Sequence, residues 1–335
     1  MHGNVPRRFP IALRALTATL AMAVLPLAGP AWAQAGWPDK PIRWIVPFPA
    51  GGQLDVVARL IAERIGPALG QPIVVEARPG ADGNLATEQV AKAAPDGYTW
   101  LAASPPTTIQ PSVRPTTLRF DPIRDFEAVA FIGTSPFLFV VPASLPVGTL
   151  DEFVAYAKAR PGELSYAGSA RGTVVHLATE LFMHDSGIRM ETINYQGQPS
   201  AIADLITGRV QFMTLGLILA EPQLKAGKLK ALAVLDGKRT PLLPSVPSAV
   251  ELKRPQLVMT TWFGLAMPAK TPAAIVERVN AEVMKALAAP EVVAKFQSMG
   301  IDAARPNTPT DFANFMREDV ARWKGVVKSA GIAVD

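Results

Sequence analysis

The sequence predicts an α/β protein built on a parallel sheet covered on both faces. Short apolar runs of strand length alternate with segments of helical periodicity, and the 32 prolines and 25 glycines are dispersed at the junctions. With 335 residues, 49% hydrophobic and 18% charged, the chain can bury a sizeable core, and its length suggests two domains.

Ile42–Phe48 is a short apolar run stopped by Pro49-Ala50-Gly51-Gly52, which reads as a buried strand and its turn. From Leu54 the apolar positions 54, 57, 58, 61, 65, 68 and 69 fall on one face of a helix, and Gly70 closes it. Ile73–Glu76 is a second strand, Leu85–Ala93 a helix and Tyr98–Ala103 a third strand. The very apolar Phe137–Val141 ends at Pro142, where the pattern restarts. A helix over Leu150–Ala159 leads to a strand at Leu164–Ala167 and a helix at Thr173–His184. Strands are expected near Glu191–Asn194, Val210–Thr214 and Leu229–Leu235. Val258–Met267 is a second long extended segment, and beyond it positions 275–287 and 312–327 repeat at helical spacing.

Residues 1–33 stand apart from this pattern. Arg7, Arg8 and Arg14 form a basic head, an apolar stretch follows from Ala15 to Ala28, and Ala31-Trp32-Ala33 has the small-x-small form of a signal-peptidase site. The segment reads as a secretory signal cut after Ala33, exported by the Sec route or, given Arg7-Arg8, the twin-arginine route. Its loss takes three basic residues and no acidic ones, so 30 basic residues face 28 acidic and the formal charge falls from +5 to +2. That balance, with no Lys/Arg run, sets nucleic acid aside as a partner. Cysteine is absent, which excludes disulfides, thiolate nucleophiles and Cys-based metal sites.

Several motifs then resemble one family in order. Trp37-Pro38-Asp39-Lys40-Pro41-Ile42, Pro47-Phe48-Pro49-Ala50-Gly51-Gly52 and Asp55-Val56-Val57-Ala58-Arg59 are similar to the opening of the Bug family. These are the extracytoplasmic solute receptors of tripartite tricarboxylate transporters. Arg78-Pro79-Gly80-Ala81, Ala94-Pro95-Asp96-Gly97-Tyr98, Gly172-Thr173, Tyr195-Gln196-Gly197 and Trp262-Phe263-Gly264-Leu265 continue the resemblance over nearly all of the mature chain. It implies a type 2 periplasmic-binding-protein fold, with two α/β domains joined by two crossover strands and a ligand cleft between them. The domains would be 34–136 plus 268–335 and 142–258, with crossovers at 137–141 and 258–267. It also implies a periplasmic monomer that binds a small organic carboxylate and meets the membrane components of such a transporter. No cofactor and no metal are implied.

An anion in such a cleft is held by backbone N–H groups at glycine-rich turns and helix starts beyond the carboxyl ends of strands. The turns that qualify contain Pro49, Ala50, Gly51, Gly52 and Gln53; Ser104 and Thr107; Ser169, Arg171 and Gly172; and Tyr195 and Gly197. Asp55 is read as a helix-start carboxylate and, by resemblance, as a residue that faces the cleft and helps order the first loop and its bound water. Thr173 is read as a cap and a ligand-facing hydroxyl, and His176 follows by family position. Arg171 is either a second anion contact or a solvent-facing loop arginine. Leu54 stands where the family usually has a hydroxyl, Leu215-Gly216-Leu217 is apolar where polar residues are frequent, and Pro105-Pro106 stiffens a rim. These departures point to an acid with an apolar or aromatic body rather than a heavily hydroxylated one.

Three other readings compete with this one. His176, Glu180 and His184 share a helix face, but a polar face explains them better than a metal site does. A hydrolase of carboxylic esters would need a G-x-S-x-G elbow or an H-E-x-x-H helix, and neither occurs. A ligand-binding sensor or chemoreceptor component would share the same fold and is not separated from a transport receptor by sequence.

Overall fold

The computed structural model describes residues 1–3, 36–168 and 173–330. The signal segment with its cleavage site, and the site candidates Ser169, Arg171 and Gly172, lie outside the described residues. The chain divides into Met1–Trp37 and Pro38–Asp335, and the elements below belong to the second unit. Among the described residues no helix is long and apolar enough to cross a membrane.

The unit opens with β1 (Ile42–Val46), α1 (Gln53–Leu69), β2 (Ile73–Ala77), α2 (Asn84–Ala91) and β3 (Thr99–Ala103). Each of these was expected within two residues of its observed ends. Next come α3 (Pro105–Val113) and a long β4 (Phe126–Pro142). Then follow α4 (Leu150–Lys158), β5 (Ser165–Gly168), α5 (Val174–Ser186), β6 (Glu191–Asn194), α6 (Gln198–Ile206), β7 (Met213–Gly216), α7 (Leu217–Lys225) and β8 (Leu229–Val234). The chain ends with β9 (Thr260–Pro268), α8 (Ala273–Ala288), α9 (Pro290–Ser298), β10 (Asp302–Ala303) and α10 (Pro309–Ala330). The start of α4 illustrates the local logic: Thr149 Oγ1 accepts from the Glu152 N–H at 3.2 Å while Glu152 Oε2 accepts from the Thr149 N–H at 3.2 Å, a reciprocal cap.

The sheet is mixed rather than wholly parallel. β1 pairs in parallel with β2 and β3, and β5 with β6, as the strand–helix alternation implies. β9, however, runs antiparallel to both β3 and β4, giving the order β10-β4-β9-β3-β1-β2. The first part of β4 pairs with β9, and from Phe137 onward it pairs with β7 and β8. One strand therefore serves both groups of elements.

The side-chain alternation of β4 feeds two cores. Phe137, Phe139 and Val141 join Phe153, Phe182 and Phe212, whereas Leu138 and Val140 face Leu205, Val210, Leu215 and Leu217. A third core gathers Ile45, Leu101, Phe126, Trp262 and Phe312 under β1, β3 and β9.

Asp319 of α10 is buried beside this third core. Its Oδ2 lies 2.5 Å from Thr108 Oγ1 and accepts from the Trp262 indole N–H at 3.1 Å. Burial raises its pKa, against the lowering effect of these hydrogen bonds. Thr108 Oγ1 donates to this carboxylate and also lies 3.0 Å from the Pro105 carbonyl, so its single hydroxyl proton is shared between two acceptors. A folded-state pKa above the unfolded value near ~3.9 stabilises the fold below that pH, and the contribution is lost as pH rises through the folded value. Asp319→Asn is expected to flatten this part of the pH–stability curve. Thermal unfolding of both proteins from pH 3.5 to 7 checks it, and parallel curves would refute it.

Candidate functional site

Five helices, α1, α3, α5, α6 and α7, begin just beyond the carboxyl ends of β1, β3, β5, β6 and β7. The first turns of α1, α5, α6 and α7 present N–H groups with no partner inside the helix, and the aligned peptide dipoles add partial positive charge there. α3 opens on Pro105-Pro106, which have no N–H, and its Thr107 N–H donates to the Ser104 carbonyl at 2.8 Å. α1, α6 and α7 start at Gly52, Gly197 and Gly216 and carry no side-chain cap among the described residues. The connecting loops of four of these helices enclose a cavity of about 120 Å³.

The first loop owes its shape to Asp55. This buried carboxylate accepts from the Gly51 N–H at 2.9 Å and from Arg59 Nε and Nη2, both at 2.9 Å. Gly51 has φ +77°, a conformation glycine adopts without strain, and the Asp55 bond secures it. Asp55 is not among the cavity-lining residues, so in this arrangement it orders the loop from behind.

Of the residues singled out in the sequence, Pro49, Gly52, Gln53, Ser104, Thr173 and Gly197 line the cavity together. Ala50 and Gly51 belong to the same loop but do not line it. Thr107 lies one turn into α3, where its Oγ1 accepts from the Ser104 N–H at 3.4 Å. The segment 104–108 is thus a helix start rather than an open turn. Thr173 caps α5, accepting from the His176 N–H at 3.3 Å. Tyr195 sits in an adjoining crevice of about 510 Å³ and donates its hydroxyl to Asp204 at 2.7 Å. Burial, then this bond to a carboxylate, push the Tyr195 pKa up to about 12. Glu180 accepts from the Tyr166 hydroxyl at 2.7 Å, which gives that carboxylate a structural partner.

Much of the wall went unmarked in the sequence. Phe48, Phe137, Val174, Val175 and Phe263 supply most of its apolar surface with Leu54, Pro105 and Pro106, while Gln198 and Thr261 add polar groups. Thr261 and Phe263 stand two apart on β9 and so share a face, a period-2 signal that was available. Leu215 and Leu217, read as cavity residues, are instead packed in the core around Leu205 and Val210. They flank Gly216 at a strand-to-helix junction, and their side chains turn inward.

Among the described residues no ionised side chain lines the cavity. An anion entering it would be met by N–H groups and hydroxyls, and its apolar portion by rings and aliphatic chains. A wider groove of about 750 Å³ on β4, α8 and α10 carries two carboxylates, Glu127 and Glu277, against one guanidinium, Arg317, so its lining is net negative.

The family model for the tripartite tricarboxylate transporter family receptor matches residues 57–332. The chain belongs to that family. It is similar to BugT of Bordetella pertussis, with 36% identity over 88% of this chain and 90% of that protein. A structure from R. palustris solved with adipate has a TM-score of 0.84 at 36% identity and covers 89% of this chain and 99% of its own. MatC from Rhodopseudomonas palustris, with bound malate, has a TM-score of 0.82 at 32% identity and covers 87% of this chain and 100% of its own. The family is one of extracytoplasmic receptors, and this member is a receptor rather than an enzyme. Its fold is the type 2 periplasmic-binding-protein fold.

Proposed function

We propose that this receptor captures an organic carboxylate with an apolar or aromatic body, closes around it, and delivers it to the membrane components of a tripartite tricarboxylate transporter. The observation that carries this reading is the cavity itself: uncapped helix N-termini at Gly52 and Gly197 supply N–H donors, and aromatic, proline and valine side chains supply the rest. Relatives solved with adipate and malate support the carboxylate, and the phenylalanines of the wall favour the larger body.

The protein acts as a monomer in the periplasm, released from its leader after Ala33. The moving bodies are 34–136 plus 268–335 and 142–258, with 137–141 and 258–267 as crossovers. The change of partners along β4 at Phe137 supports that division. Closure would follow from ligand contacts to both bodies.

A thermal-shift screen of the mature protein tests the ligand class, because a ligand of the folded state raises apparent stability. Adipate, benzoate and longer-chain acids are expected to raise the melting temperature more than citrate or malate at equal concentration. The reverse order, confirmed by titration calorimetry, would overturn the apolar-body assignment.

A further inference from the structure

Gln53 has a buried polar group whose bonding is incomplete. The residue lines the cavity and is only 9% exposed. Its Nε2 donates to Gln198 Oε1 at 3.1 Å, and Gln198 Nε2 donates to the Thr214 carbonyl at 3.2 Å. A backbone carbonyl can only accept, so Thr214 decides which end of the Gln198 amide faces it. Gln198 then presents its own oxygen to Gln53, and Gln53 must answer with its nitrogen. The orientation of both amides is set by this relay, 145 residues apart in sequence at its first step. What remains is Gln53 Oε1, buried and without a partner among the described residues. The amide rests against Gly216, where any β-carbon would overlap it.

Resting on the carboxylate-receptor reading, we propose that Gln53 is a specificity determinant whose Oε1 selects carboxylates that also carry a hydrogen-bond donor, a hydroxyl or an N–H, on the apolar body. A carboxylate cannot satisfy this oxygen, because both groups are acceptors. The charged end of the ligand therefore goes to the helix N-termini and the donor to Gln53. In an open cleft, water solvates Oε1, and closure strips it. A ligand with a donor replaces that water, whereas the parent acid leaves the carbonyl desolvated and unpaired. Loss of one partner from a buried pair is the costly direction of this asymmetry.

The test is titration calorimetry of the mature receptor with matched probes: benzoate against 3- and 4-hydroxybenzoate and 3- and 4-aminobenzoate, and adipate against 3-hydroxyadipate. At least one donor-bearing probe is expected to bind about tenfold or more tightly than its parent. The hydroxyl and amino arms show which donor is used. Gln53→Met, of similar length and without the acceptor, should reduce that preference to about twofold. Gly216→Ala, which displaces the amide while leaving Gln53 in place, should erode it as well. Parents that bind while every donor-bearing probe stays within twofold of them would overturn the proposal in the unaltered protein alone. A preference that survives in folded Gln53→Met would overturn it too. If none of the carboxylates binds, the receptor reading falls and takes this inference with it.

Discussion

A Gly197→Val protein is expected to fold and to lose roughly 100-fold in carboxylate affinity. Gly197 ends the loop before α6, and a β-carbon there would stand 3.0 and 3.1 Å from Cγ and Cδ of Pro49, on the loop before α1. Its φ of 169° is ordinary extended backbone, so the effect of a side chain is steric rather than conformational. The proline ring is rigid and the valine γ-carbons reach further than the β-carbon. The two loops must therefore separate, and both line the cavity. Overpacking of this kind costs about 1–3 kcal/mol. Expressed as lost affinity that is roughly 5- to 150-fold, with valine near the upper end and alanine near the lower. Calorimetry on the graded pair with a carboxylate that binds the unaltered protein checks it, and equal affinity for all three proteins would show that these loops do not close on each other in the complex.

Phe212→Ala is expected to cost about 3–5 kcal/mol of stability, the range for removing a fully buried aromatic side chain. The ring is fully buried and meets Phe153 at 4.9 Å, Phe139 at 5.0 Å and Phe182 at 5.3 Å between centroids. Its plane is only 13° from that of Phe182. No neighbour can collapse into the space without abandoning another ring. The same residue ties β5 to the rest through its carbonyl, which accepts from the Ala167 N–H at 2.9 Å. Since β5 leads toward the start of α5, ligand affinity should weaken along with stability. Urea unfolding of the variant, with Phe212→Leu as a milder comparison, reads the first effect. A loss under about 1 kcal/mol would mean the aromatic cluster is far more adaptable than its packing implies.

The elements with a strong local code were legible in advance. α1 announces itself through its 3.6-residue periodicity and Gly70, and α4 through Thr149 and Glu152, because caps and faces are written within one or two turns of chain. α3 and α7 were not foreseen. Pro105, Pro106 and Pro111 argue against a helix locally, yet two of them occupy its tolerant first positions, and Ile109 and Val113 are paid for by burial. α7 contains Pro222 and has little periodic contrast, so nothing in its own residues marks it. The full length of β4 was hidden as well, since Gly133 and Pro136 interrupt its apolar pattern and the register shifts twice against β9.

The candidate site divides in the same way. The amino-acid sequence by itself determined the glycine-rich loops, the acid that orders the first of them, the α/β alternation and the family. Those features depend on residues close together in the chain, whose φ/ψ preferences and capping bonds act over a few positions. Only the tertiary structure decided that β9 runs antiparallel through the sheet and that Phe137 and Phe263 share a cavity wall. It alone also placed Gln53 against Gln198 and Gly216. Such pairings join segments more than a hundred residues apart, and they are selected by how whole faces pack together, a property that no local window of sequence contains.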